Sequence, residues 1–363
     1  MTPSESDGIG RSGNDIRIAA TATAVPEHRI GREDVKTCFR AVFGIEPERA
    51  DAMMNVIDNS EIRQRYCIHP VDYIIQARPL SRISQEYAEH ALRLGRRVAT
   101  DCLARAGIGA KEIDLLITVS CTGVMIPSLD AHLINDLGFR SRVRRLPITE
   151  LGCAAGAAAL ARAWDFLRGF PGGTVLVVAV ELPSLTFQRG DMSSANLVST
   201  VLFGDGAAAA VVTGRSAVGP RILDTESYLF PNSLDAMGFD LRETGFHIVL
   251  SKTVPQMIRE KIGGLTAAFL ERHGLAREDV SAFILHPGGQ KLMRYMEDEL
   301  GLPRELTRPS WDVLREYGNL SSASVLFVLQ EWLERGNLAG GAYGLLAAFG
   351  PGFSAEMLLL QWP

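Results

Sequence analysis

The sequence predicts an α/β fold made of two duplicated halves. Short apolar runs alternate with stretches of helical periodicity, the pattern of strands and helices arranged around largely buried sheets. Three pairs of segments also recur in the same order along the chain. Lys111-Glu-Ile-Asp-Leu-Leu-Ile-Thr-Val resembles Arg277-Glu-Asp-Val-Ser-Ala-Phe-Ile-Leu, each a polar turn running into an apolar strand. Gly152-Cys-Ala-Ala, before a helix ending near Gly169, resembles Gly318-Asn-Leu-Ser, before a helix ending near Gly336. Leu202-Phe-Gly-Asp-Gly-Ala-Ala-Ala-Ala-Val-Val resembles Ala348-Phe-Gly-Pro-Gly-Phe-Ser-Ala-Glu-Met-Leu, a glycine turn into a strand. The halves are read as residues 16–219 and 220–363, meeting so that Cys153 and Asn319 occupy equivalent, facing corners.

In chain order, residues 1–15 are Ser/Gly-rich and polar with no apolar core, and read as a disordered leader rather than a signal peptide. Ile16 to Ala22 is a strand. Ser84 to Ala106 is a long helix, with Ala88, Ala91, Leu92, Val98 and Leu103 at helical spacing. The unbroken apolar run Ile113 to Val119 is a strand buried on both faces. Leu146 to Thr149 is a short strand delivering the chain to Gly152 and Cys153. Ala154 to Arg168 is an alanine-rich helix, closed by Phe170-Pro-Gly-Gly ahead of the strand Thr174 to Val180.

With 363 residues, 47% apolar and 22% charged, the chain can bury one large or two medium cores. A net charge of -5, with no basic run longer than the one ending at Arg145, gives no footprint for nucleic acid. The run Val175 to Val180 is too short to span a bilayer, so no membrane insertion and a cytoplasmic location are expected. The five cysteines, Cys38, Cys67, Cys102, Cys121 and Cys153, show no C-x-x-C spacing, which argues against a zinc site, and their odd number without a secretion signal argues against a disulfide framework. No metal is expected.

Cys153, His286 and Asn319 supply complementary chemistry. A cysteine at a helix N-terminus beside an imidazolium is expected to have a lowered pKa and to accept an acyl group from a thioester. Ala154, Ala155 and Gly156 are expected to leave room beside the sulfur for that acyl carbonyl. The imidazole and the Asn319 amide can then donate to the oxygen of a second thioester as it decarboxylates to an enolate. Plainer roles are a turn histidine and a helix-capping asparagine, and Gly204-Asp205-Gly206 reads as a structural turn rather than a phosphate loop.

From about Ile16 to Pro363 the chain resembles the type III polyketide synthases, the chalcone-synthase-like branch of the thiolase-fold condensing enzymes. The resemblance is carried by the Cys153 segment, Thr186-Phe187, Leu202-Phe-Gly-Asp-Gly-Ala-Ala-Ala, His286-Pro-Gly-Gly, Gly318-Asn-Leu-Ser-Ser-Ala and Phe349-Gly-Pro-Gly. It implies a thiolase-like five-layered αβαβα fold, a homodimer, the triad Cys153, His286 and Asn319, and coenzyme A thioesters as substrates with no other cofactor. It also places Phe203 and Ile248 at two gatekeeper positions, where Ile248 replaces an aromatic ring of plant enzymes. Thr186, Cys121 and Ser321 fall at cavity-lining positions, and Ile126 where a partner subunit's loop closes the cavity. Asn55 and Asn59 stand where plant enzymes carry phosphate-gripping bases, leaving Arg63 and Arg65 as nearby substitutes. Ile248 and Cys121 point to a bacterial alkylpyrone or alkylresorcinol type. The expected reaction is iterative condensation of malonyl-CoA onto a fatty acyl-CoA starter, then cyclisation. The alternatives are a single-step ketoacyl synthase of the initiation type, a Cys-His-Asn hydrolase, and a catalytically silent binding protein.

Overall fold

The computed structural model describes residues 15–43, 54–336 and 338–363. The expected leader, apart from Asp15, lies outside them. The strands are β1 (Arg17–Ala24), β2 (His28–Gly31), β3 (Gln64–Cys67), β4 (Leu115–Val119), β5 (Arg144–Ile148), β6 (Thr174–Glu181), β7 (Gly206–Thr213), β8 (Arg221–Leu229), β9 (Met237–Arg242), β10 (Gly245–Leu250), β11 (Val280–Leu285), β12 (Tyr343–Gly350) and β13 (Ser354–Gln361). The main sheet runs β5-β4-β6-β7-β1-β8-β13-β12-β11. Within it β4, β6, β7 and β1 are matched in order by β11, β12, β13 and β8. The pairings repeat as well: β4 with β6 and β11 with β12 are parallel, while β6 with β7, β7 with β1, β12 with β13 and β13 with β8 are antiparallel. The two half-sheets join at their β1 and β8 edges through the pair Arg17 and Arg221.

The halves also share their local turns. Glu112 caps the Gly109 N–H at 2.8 Å ahead of β4, and Asp279 caps the Ala276 N–H at 2.7 Å ahead of β11. The first turn of each central helix is a 3-10 turn, Gly152–Ala154 before Ala155–Gly169 and Ser321–Ala323 before Ser324–Arg335. These turns correct the register expected for the duplication. Gly152, at φ 49°, is matched by Ser321, at φ 50°. The equivalent of Cys153 is therefore Ser322, and Asn319 stands three residues upstream of it.

The two central helices are packed into one apolar core with residues of both half-sheets. The helix Leu80–Ala106 covers the outer face of the first half-sheet, and Val254–Glu271 with Gln290–Leu300 covers that of the second. The result is a thiolase-like αβαβα stack. Strands β4, β6 and β7 are buried along their whole length, which is why they read as continuous apolar runs rather than alternating ones. The long helix starts at Leu80, earlier than its apolar spacing suggests, because Pro79 sits at its N-cap. The edge strand β5 accommodates Pro147 as edge strands do.

Candidate active site

All three triad residues sit where an element ends. Cys153 lies in the 3-10 turn that opens the first central helix, His286 directly follows β11, and Asn319 follows the helix Arg304–Tyr317. Gly318, at φ 70°, makes that last corner possible, since a Cβ there would stand 2.6 Å from the Leu202 carbonyl. Phe203 and Asn319 form a β-bridge, so the gate position is tied to the triad through the backbone. Gly204 and Asp205 complete the junction as a structural turn. The Gly204 N–H donates to the Asn319 carbonyl, and the buried Asp205 carboxylate accepts from the N–H groups of Ile68 and Ser184.

Cys153, His286 and Asn319 border one cavity of about 700 Å³, a size typical of small-molecule sites. Phe203, Ile248, Thr186, Cys121, Ser321 and Arg65 line it too. Ile126 does not; it is 92% exposed, together with Val124 at 57%, on the loop that follows Cys121. Asn319 caps the turn that follows it and borders the cavity. Its Oδ1 accepts from the Ser321 N–H at 2.8 Å and the Ser324 hydroxyl at 3.3 Å, which aims Nδ2 toward the Gly288 carbonyl at 3.5 Å.

The protonation expected for the pair is reversed. Burial pushes the Cys153 thiol up to about 12 and the His286 imidazole down to about 4, so the resting pair is thiol and neutral imidazole. Moving a thiol from its ordinary value near 9 to about 12 is worth roughly 4 kcal/mol. The end of a helix supplies about 1 kcal/mol, so desolvation wins. Among the described residues no hydrogen bond joins Cys153 to His286. The sulfur instead contacts the Ser321 hydroxyl at 3.5 Å, and Ser321 contacts Cys121 Sγ at 3.4 Å.

Behind Cys121 lies Glu181, which the sequence did not single out. It is fully buried, its carboxyl held above the usual carboxylate range by burial. It accepts from Thr122 Oγ1 at 2.9 Å, the Cys121 N–H at 3.1 Å, the Cys121 thiol at 3.6 Å and the Ser322 hydroxyl. A chain of polar contacts thus runs from a buried carboxyl group through Cys121 and Ser321 to Cys153. Phe239 also escaped notice. It is the cross-strand partner of Ile248 in the β9-β10 hairpin and shares the cavity wall with it. The signal was present in Arg242-Glu-Thr-Gly: counting outward from that turn pairs 239 with 248.

Three expectations need correction. Arg65 borders the cavity, but its guanidinium donates to the Val201 and Thr200 carbonyls at the end of the helix Ser194–Leu202. Arg63 stands off the cavity and pairs with Glu316 at 2.6 Å. Arg65 is thus committed to the backbone, and Arg63 to a surface ion pair. Ala154, Ala155 and Gly156 do not open space beside the sulfur either: a Cβ on Gly156 would meet the Ser322 carbonyl at 2.1 Å, so these small residues serve the close approach of the two halves.

All five cysteines are free, and only Cys121 is more than marginally exposed. Among the described residues no group of His, Cys, Asp and Glu is placed to hold a metal, and no helix is long and apolar enough to cross a membrane.

Residues 9–216 match the N-terminal domain, and residues 222–362 the C-terminal domain, of the chalcone and stilbene synthases. The chain belongs to this family. It is a type III polyketide synthase and hence an acyl-condensing transferase, which sets aside the hydrolase, ketoacyl synthase and silent-protein alternatives. It is 39% identical to 1,3,6,8-tetrahydroxynaphthalene synthase of Streptomyces peucetius subsp. caesius, over 95% of this chain and 93% of the relative. It is 30% identical to the alpha-pyrone synthesis polyketide synthase-like Pks18 of Mycobacterium tuberculosis, over 95% and 90%. Among solved structures, 1,3,6,8-tetrahydroxynaphthalene synthase from Streptomyces coelicolor A3(2) superposes with a TM-score of 0.92 at 37% identity, covering 95% of this chain and 99% of that one.

Proposed function

We propose that this synthase loads a fatty acyl group from coenzyme A onto Cys153, extends it repeatedly with malonyl-CoA, and releases a cyclised pyrone or resorcinol-type product. The observation that carries this reading is the cavity joining the triad to a wall of Val35, Val71, Ile74 and Val198, with no carboxylate on its surface among the described residues. An alkyl chain can lie along such a wall without desolvating a charge.

The neutral pair sets the order of events. As the thiol attacks the acyl-CoA carbonyl, the His286 imidazole takes its proton, and that proton leaves with the coenzyme A thiol. With the acyl group on Cys153, malonyl-CoA loses carbon dioxide, and the imidazole and the Asn319 amide donate to the enolate oxygen. A neutral imidazole still carries one N–H, so a pKa near 4 leaves this donor intact. The enolate carbon attacks the acyl-cysteine carbonyl, the thiolate departs, and the lengthened chain returns to it for the next cycle. Ile248 and Phe239 together shape the wall on which chain length is measured. The active unit is a homodimer in the cytoplasm, with the exposed Ile126 loop covered by the second copy and no cofactor beyond the thioesters.

The test is a product analysis by mass spectrometry with malonyl-CoA and acyl-CoA starters of graded length. Products several two-carbon units longer than a medium or long starter are expected. Products with one added unit, or turnover only with short or aromatic starters, would overturn the reading.

A further inference from the structure

Among the described residues, the charged ones lining the cavity are Arg65, Lys252 and Lys291, all cations. Arg65 is committed to two backbone carbonyls. Lys252 and Lys291 are exposed, and among the described residues neither forms an ion pair. The Lys291 ammonium lies 5.6 Å from the centre of the Tyr295 ring. Neighbouring arginines are engaged elsewhere, Arg259 with Glu299 and Arg294 with Glu61.

The two lysines open on the same rim. Lys252 precedes the helix Val254–Glu271, and Lys291 stands in the first turn of Gln290–Leu300. These helices run parallel and in step: Arg259 stacks over Tyr295, and a Cβ on Gly263 would lie 3.6 Å from the Glu299 carbonyl. Their first turns therefore lie side by side. The same cavity wall carries Val254, Pro255 and Ile258, apolar surface along which a pantetheine arm can lie. Asn55 and Asn59, also on the cavity, are uncharged.

We propose that Lys252 and Lys291 are the phosphate grip of this chain, moved from the helix that carries it in plant enzymes to the paired helix starts of the second half. The inference rests on the thioester chemistry proposed above. The chemistry recognised is a phosphate ester at the far end of a pantetheine arm, supplied by the nucleotide of coenzyme A or by the phosphodiester of a carrier protein.

The experiment compares malonyl-CoA and acyl-CoA with their N-acetylcysteamine thioesters, which carry the same reacting groups and no phosphate, in wild type, Lys252→Ala, Lys291→Ala and the double variant. The expected result is a KM for malonyl-CoA raised about threefold by each substitution and about tenfold by both, so that the preference for coenzyme A over N-acetylcysteamine thioesters falls by the same factor. The rise of KM with added salt should flatten in the double variant. An unmoved coenzyme A KM, or an equal rise for both thioester types, would refute the proposal. If malonyl carrier protein loses turnover in the variants while malonyl-CoA does not, the phosphate belongs to the carrier protein. Failure of wild type with every thioester would instead remove the proposed function. The lysines are then read by calorimetric titration with coenzyme A, where equal affinity in wild type and the double variant refutes them.

Discussion

Replacing Gly156 by alanine separates the cost of crowding the central layer from the cost of displacing the site. The added methyl would stand 2.1 Å from the Ser322 carbonyl oxygen and 3.0 Å from Val325 Cγ1. Because the nearer neighbour is backbone, the helix Ala155–Gly169 and the turn Ser321–Ala323 must separate by roughly an ångström. Overpacking of this kind costs about 1–3 kcal/mol, offset by about 1 kcal/mol of improved helix propensity. Catalysis should suffer more than stability, because Cys153 and Asn319 flank the two segments driven apart, and a 1 Å misplacement costs on the order of a hundredfold in rate. Gly264→Ala is the matched control: it sits mid-helix in Val254–Glu271 with nothing within 4 Å of the added Cβ, and should stabilise by about 0.5–1 kcal/mol with activity unchanged. Urea unfolding and initial rates of coenzyme A release read both quantities. A Gly156→Ala enzyme with wild-type rate would refute the close approach of the halves as the reason for this glycine.

Cys153→Ala should abolish condensation, whereas Cys153→Gln should leave malonyl-CoA decarboxylation measurable because the His286 and Asn319 donors survive; carbon dioxide release checks both. Arg65→Leu strands the Thr200 and Val201 carbonyls and should cost about 1–3 kcal/mol in urea unfolding. Its KM should change no more for coenzyme A than for N-acetylcysteamine thioesters, and a selective rise would restore Arg65 as a phosphate ligand. His286 makes stability depend on pH. Its folded value near 4 lies below the unfolded value near 6.5, so the unfolded chain binds the proton first and stability falls as pH drops through that window, by about 3 kcal/mol in all. Asp205 runs the opposite way, its folded value near 6 lying above 3.8, and the two slopes nearly cancel in wild type. Unfolding free energies at pH 7.5 and pH 4.5 should therefore diverge between wild type and His286→Asn, with the variant gaining stability relative to wild type on acidification; parallel profiles would contradict the buried neutral imidazole.

The legible parts of the fold were those in which burial writes a period or an unbroken run. β4, β6 and β7 are buried on both faces, and the long helix shows its apolar stripe, so alternation and the order of the repeat could be read directly. Cys153, His286 and Asn319 could be picked out as candidates because each stands at a glycine-marked corner, and they border one cavity. What escaped depends on packing between segments remote in sequence. Glu181 ends an apolar strand and declares itself only when Thr122, Cys121 and Ser322 are seen around it. The ionisation of Cys153 was misjudged for a related reason: helix position is local, but desolvation is set by the whole cavity. Arg65 looked like a free cation until the end of the helix Ser194–Leu202 was seen to absorb it.

The corrected register of the duplication explains the asymmetry of the site. Cys153 and Ser322 are equivalent, yet the first faces the cavity and the second donates to Glu181. Gly152 and Ser321 share a left-handed backbone, costless for glycine and strained for serine. The strain at Ser321 is held in place by the Asn319 Oδ1 that accepts its N–H, and it brings the hydroxyl between Cys121 and Cys153. One half thus keeps a thiol at the corner. The other turns the same corner inward, toward a buried carboxyl group, and places an amide three residues earlier, on the wall of the same cavity. Two copies of one turn thus present a thiol and an amide to one cavity, the division of labour on which the proposed condensation rests.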